Sequence, residues 1–158
     1  SLLRGLGITD LILSGRAGTD YARILPDARV VTDPVADAGP LAGLAAVLAA
    51  ARHPWVLVLA VDLPCMSAAY LQNLLRCGNG LAGVAPHGPH GYEPLAALYP
   101  QNILPRVENA LAERRWGLQG LLQGLIQDAT IKALEINQAD LALFANWNTP
   151  EDTVGNLH

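Results

Sequence analysis

Seven consecutive apolar residues, Trp55-Val56-Leu57-Val58-Leu59-Ala60-Val61, end abruptly at Asp62-Leu63-Pro64. An unbroken run of this kind, without polar alternation, predicts a strand buried on both faces. Strands buried in that way belong to parallel sheets covered by helices, so this segment constrains the fold more than any other. The remaining pattern agrees with it. Strand-type stretches fall at Leu11–Ser14, Arg29–Asp33, Leu81–Pro86, Leu95–Tyr99 and Thr130–Ile136, and a short buried strand is expected at Leu143–Ala145. Helix-type stretches at Gly39–Arg52, Ser67–Arg76, Asn102–Arg114 and Leu118–Gln127 alternate with them. The segment His87–Gly91 reads as a loop, and Thr149-Pro150-Glu151-Asp152 as a capped helix start. The expected fold is α/β: a mostly parallel, doubly wound (Rossmann-like) sheet flanked by helices, in a single domain over residues 1–158.

Composition excludes several classes. Hydrophobic residues make up 51% of the 158 and charged residues 15%, which a disordered chain could not sustain. No apolar run reaches the ~18 residues of a membrane span. The net charge is −4 and the single lysine is Lys132, a poor basis for nucleic-acid binding. Cys65 and Cys77 do not make a disulfide framework, and the N-terminus lacks a signal-peptide layout. A cytoplasmic setting is expected.

In sheets of this type ligands sit beyond the carboxyl ends of the strands. Asp33, Asp62 and Asn146-Trp147-Asn148 all fall there. A carboxylate after a buried strand is suited to holding Mg²⁺ on nucleotide phosphates, and Asp62 equally suits a turn or helix cap. Asp33-Pro34 through Gly39-Pro40-Leu41-Ala42-Gly43 is a strand end, a loop and a helix start. It can approach an anion closely, or be an ordinary packed connection. Arg114-Arg115 is a phosphate clamp or a solvated helix end. His87 and His90, with no third ligand, are weak evidence for zinc, and Cys65 reads as turn packing.

Taken in order, these segments resemble the molybdenum cofactor guanylyltransferase family along the whole chain. Asp33-Pro34…Gly39-Pro40-Leu41-Ala42-Gly43 is similar to that family's aspartate and Gly-Pro-Leu-x-Gly segment. Val61-Asp62-Leu63-Pro64 resembles its Cys-Asp-x-Pro turn, with valine in place of cysteine. Glu93-Pro94-Leu95-Ala96-Ala97-Leu98-Tyr99, Glu113-Arg114-Arg115 and Asn146-Trp147-Asn148-Thr149-Pro150-Glu151 resemble later family segments. The resemblance implies that Asp62 holds Mg²⁺ on the triphosphate and is the catalytic and metal residue. It implies that Asp33 contacts the guanosine, with Ser14 near base or ribose and Gly39, Pro40, Leu41 and Gly43 completing the nucleotide side. Glu93, Pro94, Arg115, Asn146 and Asn148 would line the molybdopterin side.

The implied reaction is Mg²⁺-dependent transfer of GMP from GTP to molybdopterin. One family element has no counterpart here, the opening strand and glycine-rich loop with its lysine, which cradles the triphosphate. The expectations are a sheet without its first, central strand, weak activity or none in this chain, and homo-oligomers formed through an exposed strand edge. A cytidylyltransferase or other small-molecule nucleotidyltransferase, and a non-catalytic α/β assembly module, are the alternatives.

Overall fold

The computed structural model describes residues 2–15, 25–33 and 38–145. A short helix α1 (Leu2–Gly5) leads into β1 (Ile12–Gly15) and β2 (Arg29–Thr32). Then follow α2 (Pro40–Ala50), β3 (Trp55–Leu59), α3 (Ala68–Gly78), β4 (Gly83–Gly88), β5 (Gly91–Tyr92), β6 (Ala96–Pro100), α4 (Leu104–Ala112), α5 (Leu118–Gln127) and β7 (Ile131–Glu135). Most expected elements stand within two or three residues of the predicted bounds. The helix start expected at Thr149–Asp152 lies outside the described residues.

The α/β class and the flanking helices are as expected, but the strand directions need amending. β1 and β2 pair in parallel as a two-stranded sheet. A second sheet runs β3-β6-β4, with β5 and β7 also paired to β4. Within it only β4–β7 is parallel; β3–β6, β4–β6 and β4–β5 are antiparallel. The reason is connection length. A parallel crossover needs a dozen or more residues, and the short β4–β5–β6 links permit only antiparallel return. The segment read as a loop at His87–Gly91 accordingly forms the tip of this hairpin.

A second correction concerns the apolar strand. β3 is not buried on both faces: of its five residues only Val56 is buried, and Val61, just beyond it, is 88% exposed. The fully buried strand is β6, whose residues Ala96–Pro100 are all interior. Among the described residues β3 pairs only with β6, and β1 only with β2. A groove of about 340 Å³ is lined by Leu11 and Ile12 on one side and Trp55, Val56 and Leu57 on the other.

A third correction is at Leu143–Ala145, where a short buried strand was expected. Leu141–Phe144 is instead a 3₁₀ turn. The Asn137 side chain accepts the Asp140 N–H at 3.0 Å, and Leu143 N–H donates to the Asp140 carbonyl at 3.0 Å. These tight local bonds leave the segment no ladder to join.

The core lies where α2, α4 and α5 cover β6 and β4. Leu41, Leu44 and Leu48 from α2 meet Val107 and Leu111 from α4, Leu122 and Leu125 from α5, and Tyr99 and Ala85 from the sheet. Alanines on α2 let its backbone approach α4 closely. Gly83 serves the same end in the sheet, where an added Cβ would stand 2.6 Å from the Leu98 carbonyl oxygen.

The two-stranded sheet is tied to α2 at the amino ends of β1 and β2. The Arg29 guanidinium donates to both carboxyl oxygens of Asp10 at 2.8 Å, and to the Ala50 carbonyl at the end of α2 at 3.0 Å. Arg29 therefore joins β1, β2 and α2 through one planar group. Among the described residues no helix is long and apolar enough to cross a membrane.

Candidate active site

The carboxyl end of β1 carries Ser14, and Asp33 follows the end of β2. Parallel pairing aligns Ser14 with Val31 and Gly15 with Thr32, so the two strand ends finish side by side. The Ser14 hydroxyl donates to Asp33 Oδ1 at 2.5 Å. Gly43, in the body of α2, packs against both: a Cβ built there would stand 2.9 Å from Ser14 Oγ and 3.6 Å from Asp33 Oδ1. Ser14 and two residues of the Asp33–Gly43 segment, all assigned to the nucleotide side, thus converge on one spot. Gly39 precedes α2 with φ 65°, a left-handed conformation natural to glycine, and Pro40 is the first helical residue. The Leu41 side chain is fully buried in the core, so only its main chain could face a ligand.

Asp62 stands in the turn after β3 and is exposed. The β3–β6 ladder continues past β3 with Ala60 N–H donating to the Leu95 carbonyl at 2.7 Å. That bond brings the Asp62 turn alongside the Glu93-Pro94-Leu95 turn. Metal-ion candidates reduce to single carboxylates: among the described residues no group of three or more His, Cys, Asp or Glu is placed to hold an ion alone. Mg²⁺ does not require such a group, because it keeps waters and takes phosphate oxygens. An exposed Asp62 fits that chemistry.

Glu93 is half-buried, and burial pushes its carboxyl above the usual range, with His90 opposing the shift. Its backbone is held firmly. Glu93 N–H donates to the Pro86 carbonyl at 2.8 Å, and the Tyr99 hydroxyl donates to the Pro94 carbonyl at 2.8 Å. Tyr99 is wholly buried, which raises its phenol far above the ordinary value and keeps it a donor. Nothing in the sequence marks this role; Tyr99 reads simply as the end of an apolar strand.

Arg115 does not join either group through any described bond. It is exposed past the end of α4 and pairs with Glu113 at 2.6 Å. Arg114 beside it takes a left-handed φ of 55°. Asn146 and Asn148 lie outside the described residues. His87 is bonded through Nδ1 to Glu135 at 3.0 Å, a surface pair without further metal ligands.

Comparison with known proteins adds to this geometry. Residues 1–131 match the sequence model of the MobA-like NTP transferase domain. A probable molybdenum cofactor guanylyltransferase of Opitutus terrae is 39% identical over 126 residues, covering 77% of this chain and 62% of that protein. The molybdenum cofactor guanylyltransferase of Pseudomonas putida is also 39% identical, over 147 residues that cover 90% of this chain and 72% of that protein. The chain thus spans roughly two thirds of the length of these relatives. Among solved structures, the molybdopterin-guanine dinucleotide biosynthesis protein A from Archaeoglobus fulgidus superimposes with a TM-score of 0.67 at 23% identity. The match covers 89% of this chain and 73% of that one, and it attests the shared fold. By the extent of the domain match and the identity to these relatives, the chain belongs to the MobA-like NTP transferase family.

Proposed function

We propose that this chain is the nucleotidyl-transfer domain of an enzyme that moves GMP from GTP to molybdopterin in a Mg²⁺-dependent reaction. The observation that carries the reading is the meeting of Ser14, Asp33 and Gly43 at the carboxyl ends of β1 and β2. A bare glycine there leaves room for the Ser14–Asp33 pair, which presents a carboxylate to the N–H groups of a purine edge or to ribose hydroxyls. Asp62, in the exposed turn after β3, would hold Mg²⁺, which supplies charge neutralisation on the triphosphate. Glu93 and Pro94, beside Asp62, would face the acceptor together with Asn146 and Asn148.

The chemistry asks little of the protein beyond placement. An oxygen of the acceptor's terminal phosphate attacks the α-phosphorus in line. The bond from that phosphorus to the bridging oxygen breaks, and pyrophosphate leaves with the electron pair. No covalent intermediate on a side chain is needed. In the cytoplasmic setting proposed, copies of the chain would associate through the open edge of β3.

Calorimetry tests the reading. GTP with Mg²⁺ should bind this chain weakly, and CTP should not bind. Asp62→Asn should leave the circular dichroism spectrum unchanged and remove the Mg²⁺-dependent part of GTP binding. Equal affinity for CTP would favour a cytidylyltransferase. No nucleotide binding at all would favour a non-catalytic module.

A further inference from the structure

The turn that carries Glu93 is held from outside by a residue of another element. Gln119, on the first turn of α5, reaches the backbone of Tyr92 with both ends of its amide. The Tyr92 N–H donates to Gln119 Oε1 at 3.0 Å, and Gln119 Nε2 donates to the Tyr92 carbonyl at 2.6 Å. A side chain here performs the paired bonding that a neighbouring strand would otherwise perform for β5. Gly91 makes the approach possible: with φ 110°, a Cβ on it would stand 3.0 Å from Gln119 Oε1.

The consequence falls on the next residue. Glu93 is bracketed by fixed peptides on both sides. Gln119 fixes Tyr92, Pro86 fixes the Glu93 N–H, and Tyr99 fixes the Pro94 carbonyl. Two of these supports are built into the sheet or the core. Gln119 is the exception, an exposed side chain with no part in the apolar packing. Expenditure of an exposed glutamine's rotamer freedom on one peptide gives little to the core and much to the aim of the adjacent carboxylate.

We propose that Gln119 is a positioning residue for acceptor binding: it holds Tyr92 so that the half-buried Glu93 carboxylate meets the N–H groups of a pterin ring. The inference rests on the reading that Glu93 faces the acceptor. The test uses pterin-6-carboxylate, a fluorescent stand-in for the acceptor's heterocycle, titrated into the full chain and into Gln119→Ala. Calorimetry with GTP and a thermal melt of both proteins accompany it. The pterin Kd should rise roughly tenfold in the variant, the size of effect that loss of one net hydrogen bond can produce. The GTP Kd and the melting temperature should stay the same, and the Tyr92 amide should exchange faster with deuterium. If the unaltered chain binds the pterin and the variant binds it equally well, the inference is overturned and the reading of Glu93 stands. If pterin affinity, GTP affinity and melting temperature all fall together, Gln119 is merely structural and the inference is again overturned. If the unaltered chain binds no pterin, the acceptor reading fails and the inference goes with it.

Discussion

Gly43→Ala is the substitution whose outcome most directly reports the proposed nucleotide side. Alanine in a helix interior is worth about 1 kcal/mol over glycine, so in an unconstrained helix the change should stabilise. Here the new methyl would stand 2.9 Å from Ser14 Oγ, closer than carbon and oxygen settle, while the contact to Ser14 Cβ is an ordinary 3.5 Å. The Ser14 hydroxyl can escape by rotating, at the expense of its bond to Asp33. That bond is charge-assisted but Asp33 is exposed, so its loss costs about 0.5–1.5 kcal/mol. Gain and loss nearly cancel, and Gly43→Ala alone should change stability by less than about 0.5 kcal/mol. In a Ser14→Ala background the obstacle is absent, and the same change should stabilise by about 1 kcal/mol. Urea unfolding of the four proteins, followed by tryptophan fluorescence, measures the coupling. A value of about 0.5–1.5 kcal/mol is expected. If Gly43→Ala has the same effect in both backgrounds, the convergence of Ser14, Asp33 and Gly43 does not exist in solution.

Three further outcomes are expected. Arg29→Met should destabilise by about 1–2 kcal/mol, since it strips a part-buried Asp10 of its bidentate partner and Ala50 of its donor. The Arg29 guanidinium holds the Asp10 carboxyl below its usual range against the opposing effect of burial. That contribution is therefore complete above about pH 4 and fades as pH falls through the lower folded value. The variant's stability should show less acid dependence in urea melts from pH 7 to pH 3. Gly83→Ala should cost about 1–3 kcal/mol, because its methyl meets the Leu98 carbonyl and Ile131 with no flexible end to yield. Among the described residues β1 and β3 each have one partner strand, and the expected self-association through a free edge would be contradicted by a clean monomer in light scattering at micromolar concentration.

Much of the fold was legible because its signals are local. Ser67 caps α3 by accepting the Tyr70 N–H at 3.1 Å, as its position before an amphipathic run suggests. Gly39-Pro40 starts α2 for the same kind of reason. Strand direction was not legible, since Trp55–Leu59 reads alike whether its partner runs parallel or antiparallel. Nor was edge position: an apolar run reports what a strand could bury, while its burial depends on neighbours. At the candidate site, Ser14 was named apart from the Asp33–Gly43 segment; β1–β2 pairing brings Ser14 to Asp33, and the packing of α2 brings Gly43 to both. The supports of Glu93 were invisible, because Gln119 and Tyr99 act through backbone groups whose distance in sequence gives no sign of contact.

The division into two sheets places the proposed binding groups on unequal foundations. Ser14 and Asp33 belong to a two-stranded ply, whereas Glu93 and Asp62 adjoin the larger sheet over the main core. A two-stranded ply is the kind of unit that opens before the rest of a molecule does. A nucleotide spanning both would then draw part of its affinity into holding that ply shut, and its occupancy would protect β1 and β2 far more than β4 or β6. Ligand and architecture would become partners in one equilibrium, with the guanine end acting as a latch on the weaker half.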